Sequence, residues 1–161
     1  MATYVVDTSV FLTAQGDANQ MSPDCQNTAL IFIRDLSQNH NLCLDQTQKI
    51  VREYRNKIPR LSFIDELINR MLSRNRIDFV PIEFDLAGDA LLPNTCEVTD
   101  RSDRKFVAVA LAHPAQPPIF NASDTDWLEN EKELNACQVK ITHLCERELR
   151  DQLAKKQAKG A

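Results

Sequence analysis

Five short apolar runs, each separated from the next by segments of helical character, constrain the fold of this chain more than any other feature. They lie in YVVD, NLCLD, IDFVPI, PIFNAS and CQVKIT. Runs that are apolar almost throughout read as strands covered on both faces, and the helical stretches between them suit crossovers joining parallel neighbours. The order predicts an α/β three-layer sandwich on a mostly parallel central sheet of about five strands, followed by a C-terminal helix.

The helical stretches differ in character. DCQNTALIFIRDL carries Ala29, Leu30, Ile31, Phe32, Ile33 and Leu36, enough apolar surface to predict a largely buried helix. TQKIVREYRNKI reads as a helix capped by Thr47 or Asp45 and stopped by Pro59, and SFIDELINRML as one behind a Ser62 cap. EFDLAGDALLPNTCEVT is irregular, with room for a short helix at most. Phe106, Val107, Val109, Ala110 and Leu111 make a central helix that Pro114, Pro117 and Pro118 end. DTDWLENEKEL reads as one polar helix. THLCERELRDQLAKK gives a last helix with Leu144, Cys145, Leu149 and Leu153 on one side, and KQAKGA a frayed basic tail. The expected organisation is one domain over 1–141, with an amphipathic helix and tail over 142–161 packed on it or extending from it.

Composition narrows the function classes. A net charge of −4 argues against a protein that coats nucleic acid non-specifically, although an acidic site flanked by a local basic groove remains open. No stretch approaches the ~18–20 apolar residues of a membrane span, and the chain is expected in the cytoplasm. The five cysteines contain no CxxC pair and suggest neither a disulfide framework nor a zinc site, so buried free thiols are expected.

Carboxylates recur where a parallel sheet exposes its carboxyl rim. Asp7 follows the first run, Asp100 and Asp103 precede the central helix, and Asp124 and Asp126 follow PIFNAS. Glu53 borders the core-facing stripe made by Ile50, Val51 and Tyr54. Each has an ordinary reading: Asp7, Asp100, Ser102 and Asp103 as caps, Asp124 and Asp126 as first-turn acids, Glu53 as a solvated helix residue. Together they suggest a cluster that stays ionised only if something compensates it, and hard divalent cations do so with oxygen ligands.

That joint order resembles the PIN-domain family of metal-dependent nucleases over roughly residues 3–141. YVVDTSVFL resembles its first strand with the first acid, KIVREYRNKI its helix with the acid at Glu53, DRKFVAVALA the Asp before a small-residue helix, and NASDTDWL its final Asp-x-Asp-aromatic turn. The resemblance implies Mg²⁺- or Mn²⁺-dependent hydrolysis of RNA phosphodiesters by Asp7, Glu53, Asp103 and Asp124. Asp7, Asp103, Asp124 and Asp126 would hold metal, with Thr8, Ser9, Ser123 and Asp100 in support. The family includes toxins with protein antitoxins and RNA-processing factors, which makes an antitoxin or a second copy of the chain a candidate partner beside the RNA. The run Asn121-Ala122-Ser123 departs from the family pattern, and so does the long C-terminal helix.

Contact with RNA needs local positive charge. Lys49, Arg52, Arg55, Lys57 and Arg60 cluster around Glu53, and Arg101, Arg104 and Lys105 flank Asp103. The same residues also read as solvated faces with ordinary ion pairs. Trp127 reads as a base-stacking or a core residue, and His40, His113 and His143 as structural or solvated. A haloacid-dehalogenase-type enzyme would need an Asp where Ser9 stands, and the three glycines cannot form a dinucleotide-binding turn. The serious rival is a PIN-like scaffold that binds RNA or protein without cutting.

Overall fold

In the computed structural model, which describes residues 1–18, 21–59 and 61–160, five strands form one sheet with every pairing parallel. They are β1 (Thr3–Val6), β2 (Asn41–Asp45), β3 (Ile77–Val80), β4 (Ile119–Asn121) and β5 (Ile141–His143), in the spatial order β3-β2-β1-β4-β5. The helices are α1 (Thr8–Ala14), α2 (Pro23–Asn39), α3 (Lys49–Lys57), α4 (Leu61–Ser73), α5 (Arg104–Ala112), α6 (Asp126–Glu129), α7 (Glu131–Ala136) and α8 (Glu146–Gly160). The architecture is the expected α/β sandwich. Strand progression runs outward from β1 to β3, then returns to the other side of β1 at β4. The order therefore reverses between β1 and β4, the point at which open parallel sheets leave a crevice at their carboxyl ends.

The core explains why that crevice is held firmly. α5 packs on β1, β2 and β4, and its Phe106, Val107 and Val109 are wholly buried. Phe11 of α1 meets Tyr54 of α3 edge-on with ring centroids 4.9 Å apart, and Phe106 meets Trp127 in the same manner at 6.4 Å. Tyr54 also donates its hydroxyl to the carbonyl of Val6 at 2.6 Å. That bond fixes α3 against the carboxyl end of β1 and sets the position of the neighbouring Glu53.

Several local expectations are corrected. α2 is not largely buried, because Leu30 is 44% and Ile31 60% exposed. Its neighbours α1, α4 and β2 cover only the Ala29, Ile33 and Leu36 side. Ser62 lies inside α4 instead of capping it. The N-cap position of α3 is Gln48, which makes no side-chain cap bond; of the two expected caps Asp45 supplies the bonds, its buried carboxylate accepting from the amides of Lys49 and Ile50, both at 2.9 Å. The 126–136 segment breaks into α6 and α7 at Asn130. β5 begins at Ile141, after Cys137 closes α7 and Gln138 turns through φ 62°. α8 continues to Gly160 where a frayed tail is expected. The 83–99 excursion forms no helix; a Phe84–Ala90 bridge closes it around Gly88, whose φ of 87° suits glycine.

The cysteines are the largest correction. Cys25 is bonded to Cys145 and Cys96 to Cys137, leaving Cys43 as the free thiol. The partners are 120 and 41 residues apart, so short-range spacing carries no trace of them. Cys25–Cys145 ties the start of α2 to the segment that leads into α8, and Cys96–Cys137 ties the excursion to the end of α7. Loops of this length correspond to roughly 4–5 kcal/mol each in the chain-entropy model. Without reductant, thiol titration of the denatured protein should find one reactive thiol, and after reduction five, with a melting temperature lowered by roughly 20–40 °C if both bonds contribute as the chain-entropy model has it. Five thiols before reduction would show that the bonds do not form.

Candidate metal centre

Asp7, the N-cap of α1, accepts from the amide of Ser9 at 3.0 Å with one oxygen and still lies 3% exposed at the crevice between β1 and β4. Capping and membership of an acidic cluster are thus both true of this residue. β4 delivers the second acid. Parallel pairing of Val5–Val6 with Ile119–Phe120, extended by the Asp7 amide to the Phe120 carbonyl at 2.9 Å, sets the two strand ends side by side. Asp124 follows on the loop after β4.

That loop is organised by Asn121. Its side-chain oxygen accepts from Ser9 Oγ at 2.8 Å and from the Asp124 amide at 3.2 Å, while its Nδ2 donates to the Asp124 carbonyl at 2.9 Å. Ser9 Oγ in turn accepts from the Ala122 and Ser123 amides at 3.2 and 3.4 Å. Ser9 is therefore a brace between the two acid-bearing segments. Asn121 is the site residue that sequence reasoning passed over in favour of Ser123; the sequence offered only an amide at the end of an apolar run, and its complete burial emerges with the structure.

Asp103 occupies the N-cap position of α5 with helical backbone angles, and its carboxylate makes no capping bond. Among the described residues no donor bonds to that carboxylate, although Asp103 is only 5% exposed. Asp7, Asp103 and Asp124 each offer an oxygen such that all three lie within 4.8 Å of one another; Asp100, Asp103 and Asp126 do the same. Asp103 is the shared corner of two adjacent carboxylate trios. This buried acidic cluster can bind a metal ion.

The remaining predicted residues take distinct places. Glu53 lines the same cleft of about 290 Å³ as the five aspartates. Its carboxylate is occupied, receiving the Thr8 hydroxyl, the Lys105 ammonium at 2.7 Å and the Lys57 ammonium at 3.4 Å. Asp100 accepts from the amide and hydroxyl of Ser102 at 2.9 and 2.7 Å. Ser123 lines the cleft. Of the predicted RNA-binding residues, Arg52, Arg101 and Lys105 line an adjoining cleft of about 360 Å³ with Lys49 and Lys57. Arg55 instead pairs with Asp65 at 3.1 Å, and Arg104 donates to the Val98 carbonyl at 2.9 Å. Arg60 lies outside the described residues. Trp127 is core, 1% exposed, and none of the three histidines lines the acidic cleft.

The electrostatics follow from burial and crowding. Desolvation first, then the charges of Asp7, Asp124, Asp100 and Asp126, push Asp103 from 3.8 up to about 9. Burial, then Asp7, pushes Asp124 up to about 6, and burial with the Asp100 contact does the same for Asp126. Asp7 is raised, mainly by desolvation, against the Ser9 bonds that favour its ionised form. Desolvation also acts to raise Asp100, but the bonds from Ser102, Asp126 and the Asp103 amide together outweigh it and hold Asp100 low.

No protein-family model matches the chain, and no curated protein or solved structure matches it either. The site is accordingly defined as a carboxylate centre at the strand-order reversal of a parallel α/β sandwich.

An acid raised on folding keeps its proton in the native state after the unfolded state has lost it, so stability falls as pH rises through that window. With EDTA present, the melting temperature should decline between the ordinary aspartate value of 3.8 and about 9, and Asp103→Asn should flatten that decline. An Asp103→Asn variant with the wild-type pH slope would show that Asp103 is not the titrating group.

Proposed function

We propose that the chain is a divalent-metal-dependent ribonuclease of the PIN-domain kind, hydrolysing RNA phosphodiesters at the Asp7–Asp103–Asp124 centre. The observation that supports it is Asp103, a buried carboxylate bonded to no donor and shared by two carboxylate trios. A structural aspartate in such a place would normally be satisfied by donors or a cation. The all-oxygen donor set suits a hard ion such as Mg²⁺ or Mn²⁺. Bound there, that ion would activate water and neutralise charge on the phosphate.

The protein's own residues have separable tasks on this reading. Asp7, Asp103 and Asp124 hold the ion, and Asp100 and Asp126 complete the second trio around Asp103. Glu53, paired with Lys57 and Lys105, places two ammonium groups beside the acids, where they can meet a phosphate oxygen. Asn121 and Ser9 keep the β1 and β4 loops in register, so the acids do not relax apart. The same pairing of Glu53 supports a second reading, a scaffold that binds RNA without cutting, because it removes one family acid from free metal ligation. A toxin paired with an antitoxin, and a homodimer, remain proposals that the resemblance alone supports.

Asp103→Asn separates these readings. Asparagine removes the carboxyl that must take up a proton on folding, so apo stability near neutral pH should stay unchanged or rise by something on the order of 1 kcal/mol, while cleavage is abolished. Millimolar Mn²⁺ should raise the melting temperature of the wild type and do so far less in the variant. Labelled single-stranded RNA incubated with Mn²⁺ or EDTA reports cleavage directly. Metal-dependent cutting retained by a folded Asp103→Asn protein would refute the catalytic assignment. A wild type stabilised by Mn²⁺ that binds RNA but never cuts it would favour the scaffold.

A further inference from the structure

On its α8 side the acidic cleft opens into a larger cleft, of about 600 Å³, where Ser123, Asp124 and Asp126 face Lys155, Lys156 and Lys159. The three β4-loop residues line both clefts. On the opposite flank, Glu53, Lys57 and Ser102 are likewise shared between the acidic cleft and the one lined by Lys49, Arg52 and Arg101. Basic, acidic and basic surfaces therefore follow one another across the carboxyl rim of the sheet.

The lysines of α8 are placed there by helix geometry and by anchors at the other end of the helix. Residues 155 and 159 are four apart, on one face and about 6 Å apart along the axis. Leu149 is wholly buried, and the Cys25–Cys145 bond secures the chain just before α8. Lys156 is already engaged, at 3.2 Å from Glu129 and 3.8 Å from Asp126. Lys155 and Lys159 are exposed and have no ion-pair partner among the described residues. In a chain with a net charge of −4, these two solvent-facing ammonium groups at the edge of an acidic centre are free to take up an anionic partner.

We propose that α8 forms the second wall of the substrate groove. A single strand of RNA crosses the carboxylate centre with its backbone phosphates held by Lys49 and Arg52, beside Arg101 paired with Asp89 at 3.6 Å, on one side and by Lys155 and Lys159 on the other. The inference rests on the ribonuclease reading of the centre and names which surfaces carry the substrate to it. A single strand fits because the acids are buried: a flexible backbone can lower one phosphate into the recess between two raised basic walls. A rigid duplex presents its phosphates on a convex surface and cannot.

The test is fluorescence anisotropy with a labelled single-stranded RNA, measured against salt concentration with EDTA present so that no cutting intervenes. Lys155→Gln/Lys159→Gln removes two phosphate contacts, so the slope of log affinity against log salt should shrink in magnitude by about 1.4. Arg74→Gln/Lys140→Gln makes the same change in charge near the amino ends of β3 and β5, away from the rim, and should leave the slope unchanged. Equal slopes for the α8 variant and the wild type, or equal losses in both variants, would overturn the α8 wall. Cleavage by the wild type in Mn²⁺ reports separately on the ribonuclease reading. RNA cut normally by the wild type with an unchanged α8-variant slope overturns the groove alone. A Lys155- and Lys159-dependent slope without any cutting overturns the hydrolysis and keeps the groove. Neither binding nor cutting overturns both.

Discussion

Parallel pairing of β1 with β4 governs the rest of the molecule. Because the chain leaves β1 toward β2 and comes back to β4 on the far side, the connections after these neighbouring strands diverge and leave their carboxyl ends uncovered. The first residue beyond β1 is Asp7, and the loop beyond β4 carries Asp124 and Asp126. α5 spans β2, β1 and β4, which brings Asp103 at its amino end over the same gap. Placing these carboxylates together is unfavourable in itself. What imposes it is the apolar packing beneath, where Phe11, Tyr54, Phe106 and Trp127 are all essentially buried, each contributing about 1.5–3 kcal/mol. A strongly packed floor can hold a repulsive rim.

Much of this was legible in the sequence because it is local. Contiguous apolar runs identify strands buried on both faces, and helical spacers between them imply parallel crossovers, so the fold class follows from one dimension of information. The acids were legible as positions at strand and helix ends. What periodicity cannot report is which neighbours a helix acquires: Leu30 and Ile31 read as core from hydrophobicity, yet α2 has packing partners on one side only. The cysteine pairs were illegible for the related reason that only tertiary structure brings residues 120 apart together. Asn121 was hidden differently, since its importance lies in three hydrogen bonds to two segments and not in its type.

Competing readings of single residues also resolve physically. Asp7 caps a helix with one oxygen and keeps its place in the cluster, so cap and ligand are compatible roles when a carboxylate has two acceptors. Asp103 stands at a cap position and makes no cap bond, which removes the ordinary explanation for its burial. Glu53 goes the other way. It is close to the aspartates, but its charge is answered by Lys57 and Lys105.

The distribution of those cations suggests an order of events on the proposed reading. Lys57 and Lys105 serve Glu53 at one edge of the cluster, and Lys156 serves Asp126 at 3.8 Å at the other. Asp7, Asp103 and Asp124, between them, have no cationic side chain at ion-pair distance among the described residues. A phosphodiester approaching this surface is attracted by both rims and repelled by the middle. Without a cation in the centre, a strand held by the rims would keep its phosphate away from the buried acids, because like charges at short range in a weakly polarisable site repel strongly. A divalent ion held by Asp7, Asp103 and Asp124 would reverse the sign of the middle and let the strand settle across it. On the proposed reading, a metal held by Asp7, Asp103 and Asp124 would therefore be needed before RNA could seat productively, and the rims alone would account for any binding without metal.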